Sequence, residues 1–148
     1  MDKTYTEDES LVTLANSVIL KNQLTYMDSV KTRYVLVDPY ISKTCHGKCI
    51  KANGELKHYG KLDFLVEFSK EVWDSIDDAT REILMYHELM HILVKEVKGK
   101  EVLSIAPHDL QDFYTIIKKY GVEWFQQFKD IVAATYELEG ADKDKIAI

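Results

Sequence analysis

The sequence predicts an α+β fold, with a small sheet of three or four strands, one long central helix, a helix before the sheet and two helices near the end. Three observations predict it. The stretch 77–98 runs without Gly or Pro and sets Ala79, Ile83, Tyr86, His87, Met90 and Val94 along one helical face. Two runs rich in β-branched and aromatic residues, 33–37 and 63–69, read as strands. Apolar residues also recur at helical spacing near both ends of the chain. With 148 residues, one core can bury about two-thirds of the unfolded surface. Folding therefore needs neither a disulfide framework nor a structural metal, and a metal held here would serve chemistry.

The elements follow in order. Leu11, Leu14, Ala15, Val18 and Ile19 share one face of a first helix. Thr6 and Glu9 have the spacing of a capping box at its start. The strand 33–37 is stopped by Asp38-Pro39. In the segment 48–57, Asn53-Gly54 suits the positive φ angles of a tight hairpin turn between two short strands. The strand 63–69 begins after Gly60, and its apolar content marks it as largely buried. The central helix, 77–98, is followed by a loop through Gly99. Pro107 is placed as an early residue of a third helix that runs to Tyr120 and stops at Gly121. A fourth helix spans 122–139. The expected organisation is one domain over 1–140 and a flexible tail over 141–148.

Charge and composition narrow the function. A net charge of −6 argues against a general nucleic-acid binder, because affinity for phosphates rests on clustered Lys and Arg. The average hides an asymmetry. Residues 43–61 carry Lys43, Lys48, Lys51, Lys57 and Lys61 against Glu55 alone, a local charge of +4 that leaves −10 elsewhere. This basic hairpin is either a solvated surface or a docking patch for an acidic partner. No apolar run is long enough for a membrane span, and the start MDKTYTEDES lacks a basic-then-apolar leader. The expected location is cytoplasmic. Two cysteines are too few for a secreted disulfide scaffold.

The chemistry centres on His87-Glu88-Leu89-Met90-His91, an HExxH motif. Residues four apart on a helix share a face, so both imidazoles can bind one zinc while Glu88 stands beside them as general base. Catalytic zinc usually takes three protein ligands and leaves the fourth position to water. His108, placed on the first turn of the next helix, is the candidate third ligand. Asp109 and Asp112 are alternatives, and either could instead orient a ligand imidazole. Tyr114, six residues further on, is a candidate donor to the oxyanion, whereas Arg81 is assigned to a structural ion pair. Cys45, His46 and Cys49, with His58 across the expected hairpin, form a candidate second, structural zinc site. Their C-x3-C spacing also fits unliganded thiols in a loop.

The order of these features resembles the putative phage metallopeptidase family. The resemblance is carried by Phe64-Leu-Val-Glu-Phe68, Trp73, Arg81, His87-Glu-Leu-Met-His91, His108-Asp-Leu-Gln-Asp-Phe113 and Tyr120-Gly121, over roughly residues 30–125. It implies a minimal zincin-like domain, with the long HExxH helix under a twisted sheet, in a phage- or prophage-encoded protein of the host cytoplasm. It also supports His87, Glu88, His91 and His108-Asp109 as the functional set. The expected activity is zinc-assisted hydrolysis of a peptide bond in a protein or peptide substrate, with Glu88 moving the proton. The rival from another class is a zinc-binding, non-catalytic phage or mobile-element protein that blocks a host or defence protein. A peptidase that contacts nucleic acid through residues 43–61 is a third reading, which the overall acidity disfavours.

Overall fold

The computed structural model describes residues 2–109 and 112–148. Both strands expected from composition are present and form the centre of the sheet. Strand β2 (Thr32–Asp38) runs parallel to β4 (Phe64–Ser69), in register from Thr32 opposite Phe64 to Val37 opposite Ser69. The edge strands β1 (Thr4–Thr6) and β3 (Gly47–Lys51) pair antiparallel to β2 and β4, giving the order β1-β2-β4-β3. Tyr34, Val35, Leu36 and Val37 are all buried, as befits a central strand covered on both faces. In β4 the alternation is cleaner, with Phe64, Val66 and Phe68 turned into the core.

Helix α1 (Glu9–Lys21) lies on the sheet and buries Leu11, Ala15 and Val18, the stripe expected from sequence. Its cap is not the Thr6/Glu9 box. Asp8 occupies the N-cap and accepts from the Ser10 N–H at 2.8 Å, while Thr6 belongs to β1. The hairpin expected at Asn53-Gly54 is also absent. Asn53 has φ −75° and caps α2 (Gly54–Gly60) by accepting from the Leu56 N–H. Asn serves both turns and helix caps, and here the residues that follow favour a helix. The lysines of 43–61 are consequently dispersed over a loop, the β3 edge and α2, and Lys57 pairs with Asp63 at 3.3 Å.

After the short α3 (Lys70–Ser75), helix α4 (Asp78–Leu89) starts on Asp77, whose side chain accepts from the Thr80 N–H. It ends far earlier than the expected residue 98. The chain turns at Met90 and leaves as β5 (Ile92–Val97), which pairs with β6 (Lys100–Ile105) around Lys98-Gly99. Both turn residues have positive φ, 53° and 75°, the conformation a two-residue hairpin demands. Helical periodicity through Val94 was misleading because β-branched residues of a half-exposed ribbon fell on the same spacing. The third helix likewise begins late, as α5 (Tyr114–Tyr120), leaving Pro107 and His108 in a loop. Residues 110 and 111, which that expected helix included, lie outside the described residues.

Helix α6 (Glu123–Tyr136) closes the core with Trp124, Phe128, Val132 and Ala133. The last residues, expected to form a flexible tail, lie against the core in this structure. A short α7 (Ala141–Asp144) leads into a docked segment in which Ile146 and Ile148 are buried. No helix among the described residues is long and apolar enough to cross a membrane.

Gly54 distinguishes the two readings of the Asn53 region. A methyl group there meets no atom within 4 Å, and no left-handed φ is required. Gly54→Ala is expected to stabilise the protein by roughly 0.4–1 kcal/mol through loss of unfolded-state freedom. Urea unfolding reads this, and a lowered midpoint would restore the hairpin.

Candidate metal centre

His87 and Glu88 occupy the last turn of α4, and His91 lies just beyond it. Met90 keeps helical angles (φ −70°, ψ −15°), with its N–H donating to Tyr86 O, and the His91 N–H donates to Glu88 O at 3.2 Å. The i, i+4 geometry therefore survives the end of the helix, and both imidazoles stay on one face. Tyr26 caps the turn by donating its hydroxyl to Leu89 O at 2.8 Å. The β5–β6 ribbon then carries the chain out and back. Its ladder is prolonged by the Ala106 N–H donating to His91 O at 2.7 Å, which returns the loop bearing His108 to the end of α4.

The three imidazoles converge. One ligand atom from each of His87, His91 and His108 lies within 4.8 Å of the others, a grouping able to hold a metal ion. Nε2 of His87 and Nε2 of His108 are 2.9 Å apart. The opposite ring nitrogens are committed elsewhere. Nδ1 of His87 contacts Oδ1 of Asp112 at 2.6 Å, and Nδ1 of His91 contacts the Ala106 carbonyl at 2.7 Å. Both acceptors require a proton on Nδ1, so both rings present Nε2 lone pairs to the shared centre. Burial pushes His91 down to about 4 and lowers His108 also, which keeps both rings neutral as ligands must be.

Asp112 is itself fully engaged. Oδ1 also accepts from the Phe113 N–H at 2.8 Å, and Oδ2 accepts from Trp124 Nε1 at 2.9 Å. Phe113 packs against all three imidazoles, with ring centroids 5.0–5.5 Å away. Glu88 contrasts with this order. It is fully buried, neither carboxylate oxygen has a partner, and burial together with the Asp112 charge pushes it up to about 8. It borders a cleft of about 420 Å³ shared with His91, His108, Cys45, Cys49 and Ile148. Three imidazole nitrogen donors with an unpaired carboxylate beside them suit an ion that keeps an open coordination position.

The other expected site residues fall as follows. Of the two candidate aspartates, Asp112 orients His87, whereas Asp109 accepts from the Tyr114 N–H at 3.0 Å. Tyr114 is 61% exposed, and it lines neither of the two clefts that the described residues form with His108. Arg81 donates to Trp73 O and lies 3.5 Å from Asp78, a structural role as expected. The cysteine set is not assembled into a site. His46 spends both ring nitrogens on Ser69 Oγ and Lys43 O, and His58 sits on exposed α2 against Tyr59. Burial, with Glu88 close by, raises both Cys45 and Cys49, so neither is an activated thiolate. Among the described residues the three histidines are the only such cluster. Trp124 and the Ala106 carbonyl were not anticipated from the sequence, and Phe113 entered only as part of the family resemblance. Only the density of aromatics after Asp112 hinted at Trp124.

Loss of the Asp112 carboxylate should loosen His87 without removing a ligand. Asp112→Ala is expected to weaken metal binding by about 10–100-fold, whereas His108→Ala removes one of the three donors and weakens it further. Competition with a chromophoric chelator measures both, and equal affinity in wild type and Asp112→Ala would show that the carboxylate does not tune the site.

No curated protein and no solved structure matches the chain. The family model described as Putative phage metallopeptidase matches residues 3–136, a span that includes every residue of the three-histidine centre. The chain belongs to the putative phage metallopeptidase family.

Proposed function

We propose that the protein is a zinc-dependent peptidase that hydrolyses peptide bonds, with Glu88 as general base. The observation that carries this reading is the pairing of a convergent three-imidazole set with a buried carboxyl group that has no partner. His87, His91 and His108 would hold the ion, with Asp112 and the Ala106 carbonyl fixing the tautomers of the first two. Zinc so held supplies Lewis-acid polarisation of the scissile carbonyl and an acidified water.

The remaining chemistry belongs to the chain. Burial raises Glu88 to about 8, and the charge of a zinc ion beside it would offset that and leave the carboxylate ionised; so ionised, Glu88 accepts the proton of the attacking water and returns it to the leaving amine, with no other group on its oxygens. Burial keeps bulk water from competing for that proton. Phe113 screens the imidazoles on one side and excludes solvent from their faces. No nucleophilic side chain is needed, in keeping with the protonated state of Cys45 and Cys49.

Glu88→Gln keeps the shape of the side chain and removes the base. It is expected to lower hydrolysis of a mixed peptide library by about 10²–10⁴-fold while zinc content, read by atomic emission, stays at the wild-type level. An unchanged rate at equal zinc content overturns the reading.

A further inference from the structure

Residues 145–148 are docked beside the metal centre, where the Ile148 backbone reaches His108. Ala147 forms a two-bond parallel pair around Cys45: its N–H donates to Thr44 O at 2.7 Å, and its carbonyl accepts from the His46 N–H at 3.2 Å. The His46 carbonyl accepts from the Ser69 N–H at 3.1 Å, so residues 44–46 prolong the β3 edge of the sheet. Ala147 is thus added outside that edge, as a bound peptide strand would be. Alternate side chains of an extended segment share a face, and Ile146 and Ile148 are 2% and 6% exposed.

Ile148 enters the cleft that holds Glu88, His91 and His108. A methyl built on Gly47 would stand 3.4 Å from Oε1 of Glu88 and 3.6 Å from Cβ of Ile148. Only the width of a glycine therefore separates the aliphatic side chain from the unpaired carboxylate. The attachment rests mainly on the two isoleucines, which join the core cluster, and on the Ala147 pair. Outside the isoleucines and the Ala147 pair, it is supported by α7, four residues long, and by exposed ion pairs such as Lys143 with Asp130.

We propose that residues 146–148 are a built-in occupant of the peptide-binding site: they hold the place of an extended peptide with an aliphatic side chain beside Glu88, and a substrate must displace them. The word substrate rests on the peptidase reading above, whereas occupation of the cleft by a peptide does not. The apparent affinity for an outside peptide falls by the fraction of time the cleft is open. The backbone pairing selects extended chains, and the Ile148 seat selects an aliphatic residue.

The probe is a fluorescent tetrapeptide of sequence Lys-Ile-Ala-Ile, bound to zinc-loaded protein and followed by anisotropy. A chain ending at Asp144 and the full-length Ala147→Pro variant, which lacks the N–H given to Thr44, are expected to bind it at least about ten-fold more tightly than the intact chain. The same peptide with serine in place of both isoleucines is expected not to bind. Folding is checked by circular dichroism and zinc content. In the intact chain, excess tetrapeptide is expected to speed hydrogen exchange at the Ala147 amide, a readout that needs no variant. Equal affinity for folded intact and shortened chains, or unchanged exchange at Ala147, overturns the proposal. Tight binding without hydrolysis of any peptide would leave it standing and count against the peptidase reading alone.

Discussion

The carboxylate of Asp112 is the point on which the three-histidine arrangement depends. A buried carboxylate is tolerated only when its lone pairs are used, and an unpaired one costs several kcal/mol or forces protonation. Here its bonds come from three separate parts of the chain: His87 on α4, the Phe113 backbone and Trp124 on α6. One group therefore fixes the tautomer of a metal ligand, the start of α5 and the approach of α6. Phe113 is carried along by this anchoring and packs its ring against all three imidazoles. The contribution of α6 to function is thus indirect, through an indole N–H rather than through any group in the cleft.

A second constraint comes from the β5–β6 ribbon. Ending α4 at Leu89 frees the Met90 and His91 region from helix continuation, and the ribbon returns the chain beside its own starting point. Two bonds between His91 and Ala106 close the loop, one from backbone to backbone and one from the imidazole to the carbonyl. The same residue that orients His91 therefore sets the position of His108 two residues later. A longer helix in place of the ribbon would have kept residues 92–97 moving away from the centre.

The α+β class, the two central strands, the amphipathic first helix and the HExxH pair were legible in the sequence because each is a local periodicity or a fixed spacing. The choice of His108 was legible because the motif supplies only two of the three usual ligands, and its candidate partner Asp112 was named without a way to separate it from Asp109. Element ends were not legible where one residue type serves two structures. Asn53 reads equally as a turn residue and an N-cap, and Val94 fits a helix face and a ribbon alike. The Trp124 bond to Asp112 spans separate elements and leaves no mark on local spacing. The docking of Ile146 and Ile148 was hidden by the charged residues 142–145 before them, whose composition alone reads as a solvated tail.

Glu88 stands against the satisfied network around it. Among the described residues, its two oxygens and Thr32 Oγ1 are the buried side-chain polar atoms without a partner. The helix could have carried an apolar residue at this position at lower energetic cost, since Gly47 and Ile148 already form an apolar wall against it. Retaining an acid there is a local conflict of the kind that marks a functional position, where stability is given up for chemistry. Gly47 fits the same logic: with no side chain it lets the β3 edge come close to Glu88 and leaves a gap that a larger residue would fill. The acid, the gap and the aliphatic seat beside it together define where a peptide would have to lie for Glu88 to act on it.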